Sequence, residues 1–225
     1  MPRLAIIGMG KMGRAVEQLS RERGFEVVAK LGKGDAISRD SLKDAEVAVE
    51  FTTPRAAAAN IKAAIDAGCA IVVGTTGWYD SRADIDALVK AKGGALLVAP
   101  NFSPGIAAFS EIVKEAARIL KAMPGYDAHI IETHHQAKKD TPSGTAKALE
   151  EAAAVEWGAN IPVTSVRVGS VPGTHEFLFD APFEQIRLVH TARDRRVFAE
   201  GALHAARWLI GRTGVFTMHD VIAGR

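Results

Sequence analysis

Leu4-Ala-Ile-Ile7, then Gly8-Met-Gly-Lys-Met-Gly13, then Arg14 to Glu22 is the stretch that decides the fold. The first four residues are apolar without alternation, as a parallel strand covered on both faces must be. From Arg14 onward Ala15, Val16 and Leu19 recur at helical spacing. Between strand and helix the glycines stand as G-x-G-x-x-G, the spacing of a dinucleotide-binding turn in the context it requires. Gly8 permits the tight turn, Gly10 lets the backbone approach a pyrophosphate, and Gly13 allows the helix to pack closely on its strand. The helix N-terminus offers unpaired N–H groups to the phosphates. Residues 8 to 13 (Gly8, Met9, Gly10, Lys11, Met12 and Gly13) are therefore expected to hold a cofactor.

Outward from this turn the alternation continues. Strands are predicted at 3–8, 25–31, 46–51, 70–74 and 95–99, and helices at 11–23, 54–67 and 80–92. Thr53-Pro54 supplies an N-cap and first-position pair for the second of these helices. Strands alternating with helices imply a Rossmann-type α/β domain with a parallel sheet covered on both faces. Ligands of such a sheet bind beyond the carboxyl ends of its strands. The loops expected there are Gly8–Gly13, Phe51–Pro54, Gly74-Thr-Thr-Gly77 and Ala99-Pro-Asn-Phe-Ser103. At the end of the second strand many NAD-binding chains place an acid for the ribose hydroxyls. Here Gly32 falls at about that place, and Lys33, with Lys11, is suited to the extra phosphate of NADPH. NADPH is weakly favoured over NADH, and Asp35 turned inward would reverse the preference.

The pattern changes after Asn101. Ile106 to Ala122 reads as a long amphipathic helix with Ile106, Phe109, Val113, Ala117 and Leu120 on one side. An alternating strand covers 129–135, and residues 143–157 read as a helix that Pro142-Ser143-Gly144-Thr145 opens, with the proline in its first turn. Strand-like segments at 164–168, 173–179 and 184–190 complete a second α+β domain with a mostly antiparallel sheet. A last helix at 195–210, ended by Gly211 and Gly214, is expected to return to the first domain. The predicted division is 1–101 completed by 192–225, with 102–191 as the second domain. Hinges are expected near Asn101–Ser103 and around Ala192, and cleft closure would bring cofactor and substrate together.

Composition narrows the class. The chain has 225 residues and a formal net charge of +2, too small to argue for nucleic acid or a membrane surface. No apolar run reaches the roughly 20 residues of a membrane span, and the opening residues do not read as a signal peptide. A single cysteine, Cys69, fits a reducing cytoplasm and reads as a small core hydrophobe rather than a catalytic thiol.

The chemistry is concentrated in Glu132-Thr-His-His-Gln-Ala-Lys-Lys-Asp-Thr-Pro-Ser-Gly-Thr-Ala146. Two histidines and a lysine precede a helix opening, so proton donors and cations lie beside an anion cradle. Ser143, Gly144 and Thr145 at the helix N-terminus, with His135 or Lys139, suit a small substrate carrying carboxylates. Along a strand His134 and His135 face opposite sides, so both are expected near the strand's end. The spacing gives no clustered third ligand for a metal.

Taken in order along the chain, these segments resemble the 4-hydroxy-tetrahydrodipicolinate (dihydrodipicolinate) reductases. The matching pieces are Gly8–Gly13, Glu50-Phe-Thr-Thr-Pro54, Gly74–Gly77, Ala99–Ser103, the block from Glu132 to Thr145, Arg167–His175 and His190–Ala202. The resemblance implies reduction of a cyclic unsaturated dicarboxylate by NADPH or NADH in lysine and diaminopimelate biosynthesis. It implies that His134 and Lys138 are proton donors, and that His135, Gly144 and Thr145 bind substrate carboxylates. Cofactor loops are implied at Gly8–Gly13, at Gly74, Thr75 and Thr76, and at Ala99, Pro100, Asn101 and Phe102. A homotetramer built through the second domain's sheet is also implied. Without the resemblance two alternatives stay open: another nicotinamide oxidoreductase of the same architecture, or a non-catalytic sensor of bound cofactor. Trp157 and Trp208 are expected in the core, and Trp78 is left open between the core and the nicotinamide. His175 and His190 read as structural residues.

Overall fold

The computed structural model describes residues 1–224, which divide into two compact units, 1–104 with 196–224, and Gly105–Arg195. The first unit is built on strands β1 (Arg3–Ile7), β2 (Glu26–Leu31), β3 (Val47–Glu50), β4 (Ala70–Val73), β5 (Ala95–Val98) and β10 (Gly214–Phe216). They form one parallel six-stranded sheet in the order β10-β5-β4-β3-β1-β2. Its helices are α1 (Lys11–Ser20), α2 (Arg39–Leu42), α3 (Pro54–Asp66), α4 (Arg82–Lys92), α7 (Arg196–Leu209) and α8 (Met218–Ile222). The strands read as continuous apolar runs because both faces are covered. Alternate residues Ala5, Ile7, Ile71, Val73, Leu96 and Val98 form a buried cluster with Ile61, Ile65, Ile85 and Val89 of α3 and α4. Helix α7 packs against α1 and the central strands. Its Gly201 is required there: a Cβ would lie 1.6 Å from the carbonyl oxygen of Phe102.

From β1 the chain moves to one side to make β2, and β3 then pairs on the other side of β1. The crevice at this reversal, beyond the strand ends, is where such sheets bind ligands. The turns after β1 and β3 flank it.

The second unit holds α5 (Pro104–Lys121, begun at the unit boundary), β6 (Asp127–His134), α6 (Gly144–Trp157), β7 (Val163–Arg167), β8 (Thr174–Ala181) and β9 (Glu184–Thr191). Its sheet runs β7-β6-β8-β9, with β6 parallel to β7 and the other two pairings antiparallel. The five apolar residues expected along α5 are the five it buries. They meet Ile130, Leu149, Phe177 and Phe179 in a second core.

Several expectations are corrected. Pro142 is not in the first helical turn: Ser143 is the N-cap, its Oγ accepting from Ala146 N at 3.1 Å, and Pro142 precedes it after a cis peptide bond. Gly214 does not end a helix but begins β10. Helices α2 and α8 and strand β10 went unpredicted because four, five and three residues carry too little periodicity. Trp78 lies in the first core with its Nε1 donating to Thr75 O at 2.7 Å. Trp157 and Trp208 are only half-buried. Cys69 is buried, and burial pushes its thiol pKa up to about 12. Among the described residues no helix is long and apolar enough to cross a membrane.

Candidate active site

In the first unit the glycine turn shows three different needs. Gly8 has φ +97°, and a Cβ there would sit 2.1 Å from the carbonyl oxygen of Phe51. At Gly13 a Cβ would lie 2.0 Å from Gly8 O, so the helix approaches its own turn as closely as backbone allows. At Gly10, the N-cap of α1, a Cβ would meet nothing within 4 Å. That opening lies at a helix start with no acidic residue in its first turn and no side-chain cap. Space, free amides and the positive dipole end fit a pyrophosphate.

Neighbouring loops are tied to this turn by buried bonds. Glu50, fully buried at the end of β3, accepts from the Thr52 hydroxyl and from Asn60 Nδ2. Thr52 N donates to Thr75 Oγ1 at 2.7 Å, joining the loops after β3 and β4. Gly74 is required beside them, since a Cβ would lie 1.9 Å from the Phe51 ring.

Two cavities open at this edge. One, of about 770 Å³, is lined by residues that include Gly8, Met9, Gly10, Lys33, Asp35 and Arg55. The other, of about 470 Å³, is lined by residues that include Lys11, Met12, Gly74, Thr75 and Thr76. Asp35 does turn inward, but onto the backbone, its Oδ2 accepting from Gly32 N at 2.7 Å. Ala99, Pro100, Asn101 and Phe102 follow β5 at the same edge yet line neither cavity. Phe102 is buried with its ring 5.7 Å from that of Phe51, and Asn101 Oδ1 caps Ser103 N at 2.8 Å. Arg55 and Asn60 were missed by sequence reasoning; their place in the first two turns after the Thr53-Pro54 cap was the available signal.

In the second unit β6 buries alternate residues, Ala128, Ile130, Glu132 and His134, on its core face. Apolar side chains give way to polar ones toward the end of the strand. Glu132 stands in register with Ser165 on β7 and His175 on β8, and His175 with His190 on β9, so a polar row crosses the whole sheet. The Glu132 carboxylate has no solvent exposure and is fully engaged. Oε2 accepts from His134 Nδ1, and Oε1 accepts from Arg167 Nη2 at 2.7 Å and Ser143 N at 3.2 Å. Burial alone would raise its pKa, but the hydrogen bonds from Arg167 and His134 outweigh that and hold it at about 2.

His134 ends the strand and is buried. Burial lowers its pKa, opposed by the hydrogen bond to and charge of the Glu132 carboxylate. His175 lies against it with ring centroids 5.2 Å apart, and its Nε2 is 3.3 Å from Ser143 Oγ. Burial and then the neighbouring His134 depress the pKa of His175 to about 3. It acts as a neutral packing partner. His135, the residue after the end of β6, is half-buried.

Lys138 Nζ pairs with Asp140 Oδ1 at 2.8 Å, and Asp140 Oδ2 accepts from Gly144 N at 3.3 Å. The lysine and the first amide of α6 thus converge on one carboxylate. Gly144 is exposed and Thr145 half-buried beside it, while Lys139 is exposed. Sequence reasoning missed Glu132 and His175 as partners of His134, and Arg167 as the partner of Glu132. The i, i+2 spacing of Glu132 and His134 on one strand was the signal that could have found the first.

The fold and its sheet-edge cradle define a two-unit protein of the Rossmann-type dinucleotide-binding class. Residues 2–102 match the family model for the dihydrodipicolinate reductase N-terminus and residues 105–222 that for its C-terminus. The 4-hydroxy-tetrahydrodipicolinate reductase of Christiangramia forsetii is 36% identical, the alignment covering 98% of this chain and 97% of that protein. The Methanospirillum hungatei protein of the same name is 34% identical over 99% of each. The chain belongs to the dihydrodipicolinate reductase family. In fold it is similar to the dipicolinate-bound dihydrodipicolinate reductase from Paenisporosarcina sp. TG-14, with a TM-score of 0.80, 22% identity, and 96% and 97% of the two chains covered.

Proposed function

We propose that this chain is a 4-hydroxy-tetrahydrodipicolinate reductase, an NAD(P)H-dependent oxidoreductase of lysine and diaminopimelate biosynthesis. The observation that carries the reading is the carboxylate of Asp140 held at once by Lys138 Nζ and Gly144 N, a few residues after a buried histidine. Two donors that already converge on an internal carboxylate suit one carboxylate of a cyclic dicarboxylate substrate. His135 and Thr145 supply the other anion contacts, with Ser143 shaping the turn.

When bound, the reduced nicotinamide supplies a hydride. Gly8 to Gly13 and the loops at Gly74–Thr76 and Ala99–Phe102 hold that cofactor, and the open space at Gly10 fits its pyrophosphate. Water leaves the hydroxylated substrate, giving a conjugated C=C–C=N unit. Hydride addition to its end pushes the electron pair onto the ring nitrogen, which must take a proton. His134, having taken up a second proton from solvent to become the imidazolium that Glu132 favours, supplies it from Nε2, the nitrogen that Glu132 does not hold, and returns to its neutral form. Lys138 is the second proton donor. Lys33 and Arg55 line the adenosine-side cavity beside Asp35, whose Oδ2 is taken up by Gly32 N, and these two cations support NADPH over NADH. The exposed Val166, Val168 and Val189 of the second unit's sheet region support a tetramer formed through that sheet.

The test is oxidation of NADPH or NADH by the purified protein mixed with pyruvate, aspartate semialdehyde and the synthase that condenses them. Turnover that His134→Gln abolishes supports the reading. Absence of turnover with either nicotinamide removes it.

A further inference from the structure

We propose that Glu132 is a positioning residue that fixes the tautomer of His134 and ties its ring to the first turn of α6. The proposal rests on the reading of His134 as a proton donor. Glu132 is wholly buried, and its two oxygens are divided between two tasks. Oε1 meets Arg167 Nη2 and Ser143 N, which neutralise the charge and hold the backbone just ahead of Gly144. That pairing alone would account for a structural staple. Oε2 is given to His134 Nδ1 instead, and the two side chains reach each other because they share one face of β6.

A carboxylate on Nδ1 can only accept, so the neutral ring must carry its proton there. Nε2 is then the nitrogen that gains and loses the catalytic proton. Its edge is kept open by Gly173, where a Cβ would stand 3.0 Å from Nε2. The other groups facing this ring are Lys138 from the following loop, Arg167 from β7 and His175 from β8. His190 on β9 lies behind His175. Lys138 and Arg167 both disfavour a charged His134, and His175 stays neutral. Glu132 is the single neighbour among these whose charge favours the imidazolium.

Replacing Glu132 by Gln keeps size and hydrogen bonding but removes that charge and offers an amide N–H to Nδ1. The rate depends on protonated His134, so it falls as pH rises through that pKa. Glu132→Gln lowers the pKa, so the fall comes earlier. The expected result is a kcat about 10- to 100-fold lower, by analogy with the carboxylate partners of metal-bound histidines. KM for the substrate should stay within about threefold, and the alkaline limb should move down by about one pH unit or more. Glu132→Asp, which restores the charge at a shorter reach, should recover part of the rate and return the limb toward its wild-type position.

The deciding measurement is made on the full chain with ¹⁵N-labelled histidine, by two-bond ¹H–¹⁵N correlation spectra across pH. Wild type should show neutral His134 protonated on Nδ1, and Glu132→Gln a mixed or reversed tautomer. Nε2–H in the wild-type ring would overturn the proposal without any variant, even if Glu132→Gln fails to fold. So would a folded Glu132→Gln with an unchanged His134 titration, or a changed tautomer with an unchanged rate. If His134→Gln turns over normally, the proton-donor reading fails while the tautomer measurement still stands, so the two failures are distinguishable.

Discussion

Gly10→Ala separates a glycine required by the cofactor from one required by the fold. A Cβ at position 10 meets no heavy atom within 4 Å, and φ −77° with ψ −160° is open to alanine. Restricting the unfolded chain stabilises by about 0.4–1 kcal/mol, whereas alanine in place of glycine at an N-cap costs up to about 1 kcal/mol. The two nearly cancel, so the melting temperature should move by no more than about 4 °C. Gly13→Ala differs: its Cβ would lie 2.0 Å from Gly8 O, and no flexible side chain is there to yield. Overpacking of that kind costs about 1–3 kcal/mol. For the cofactor the order is reversed, because a methyl at position 10 fills the space assigned to the pyrophosphate. Its Kd for NADPH and NADH should rise at least about tenfold, or about 1.4 kcal/mol. Thermal melts and nicotinamide fluorescence titrations of the two variants read both effects. Wild-type affinity in a folded Gly10→Ala would show that the pyrophosphate does not cross this residue.

Lys138→Ala should lower kcat about a hundredfold, the scale for a lost general acid, with the fold intact by circular dichroism. Lys33→Ala combined with Arg55→Ala should weaken NADPH at least about tenfold and NADH less than threefold, measured by titration; equal losses for both would remove the 2′-phosphate assignment. Acid should destabilise the protein in two stages. His175, held near 3 in the folded state, takes up its proton only on unfolding below the usual histidine value of about 6.5, so stability falls as pH drops through that point. The Glu132 contribution is present above about 4.3 and is lost as pH falls toward about 2. Each such proton adds a slope of about 1.4 kcal/mol per pH unit, so urea midpoints measured from pH 7 to 4 should decline and His175→Gln should flatten the first stage.

Much of the fold is legible because its rules are local. A short apolar run, three glycines at fixed spacing and a helical repeat define the first βαβ step, and the apolar residues of α5 are those the periodicity picks out. Very short elements escape this reading, since α2 is held by a Ser38–Ser41 capping box and β10 by pairing with β5, not by any pattern of their own. Pro142 misleads for a related reason: proline before a serine suits either side of a helix start, and the Ser143 cap bond decides between them. At the candidate site His134, Lys138 and Gly144 stand together in sequence. Arg167 and His175 come to Glu132 only through strand pairing, from 35 and 43 positions further along the chain. Trp78 shows the same limit, as an aromatic beside a polar loop reads alike whether it faces a ligand or the core.

Transfer of an isotopic label tests the proposed reduction most directly. With nicotinamide cofactor deuterated at the transferring position and substrate generated in place by the synthase, mass spectrometry should find tetrahydrodipicolinate heavier by one unit, with the label lost in His134→Gln reactions for want of product. Unlabelled product, or cofactor oxidised with no ring reduced, would contradict hydride delivery to a cyclic dicarboxylate by this chain.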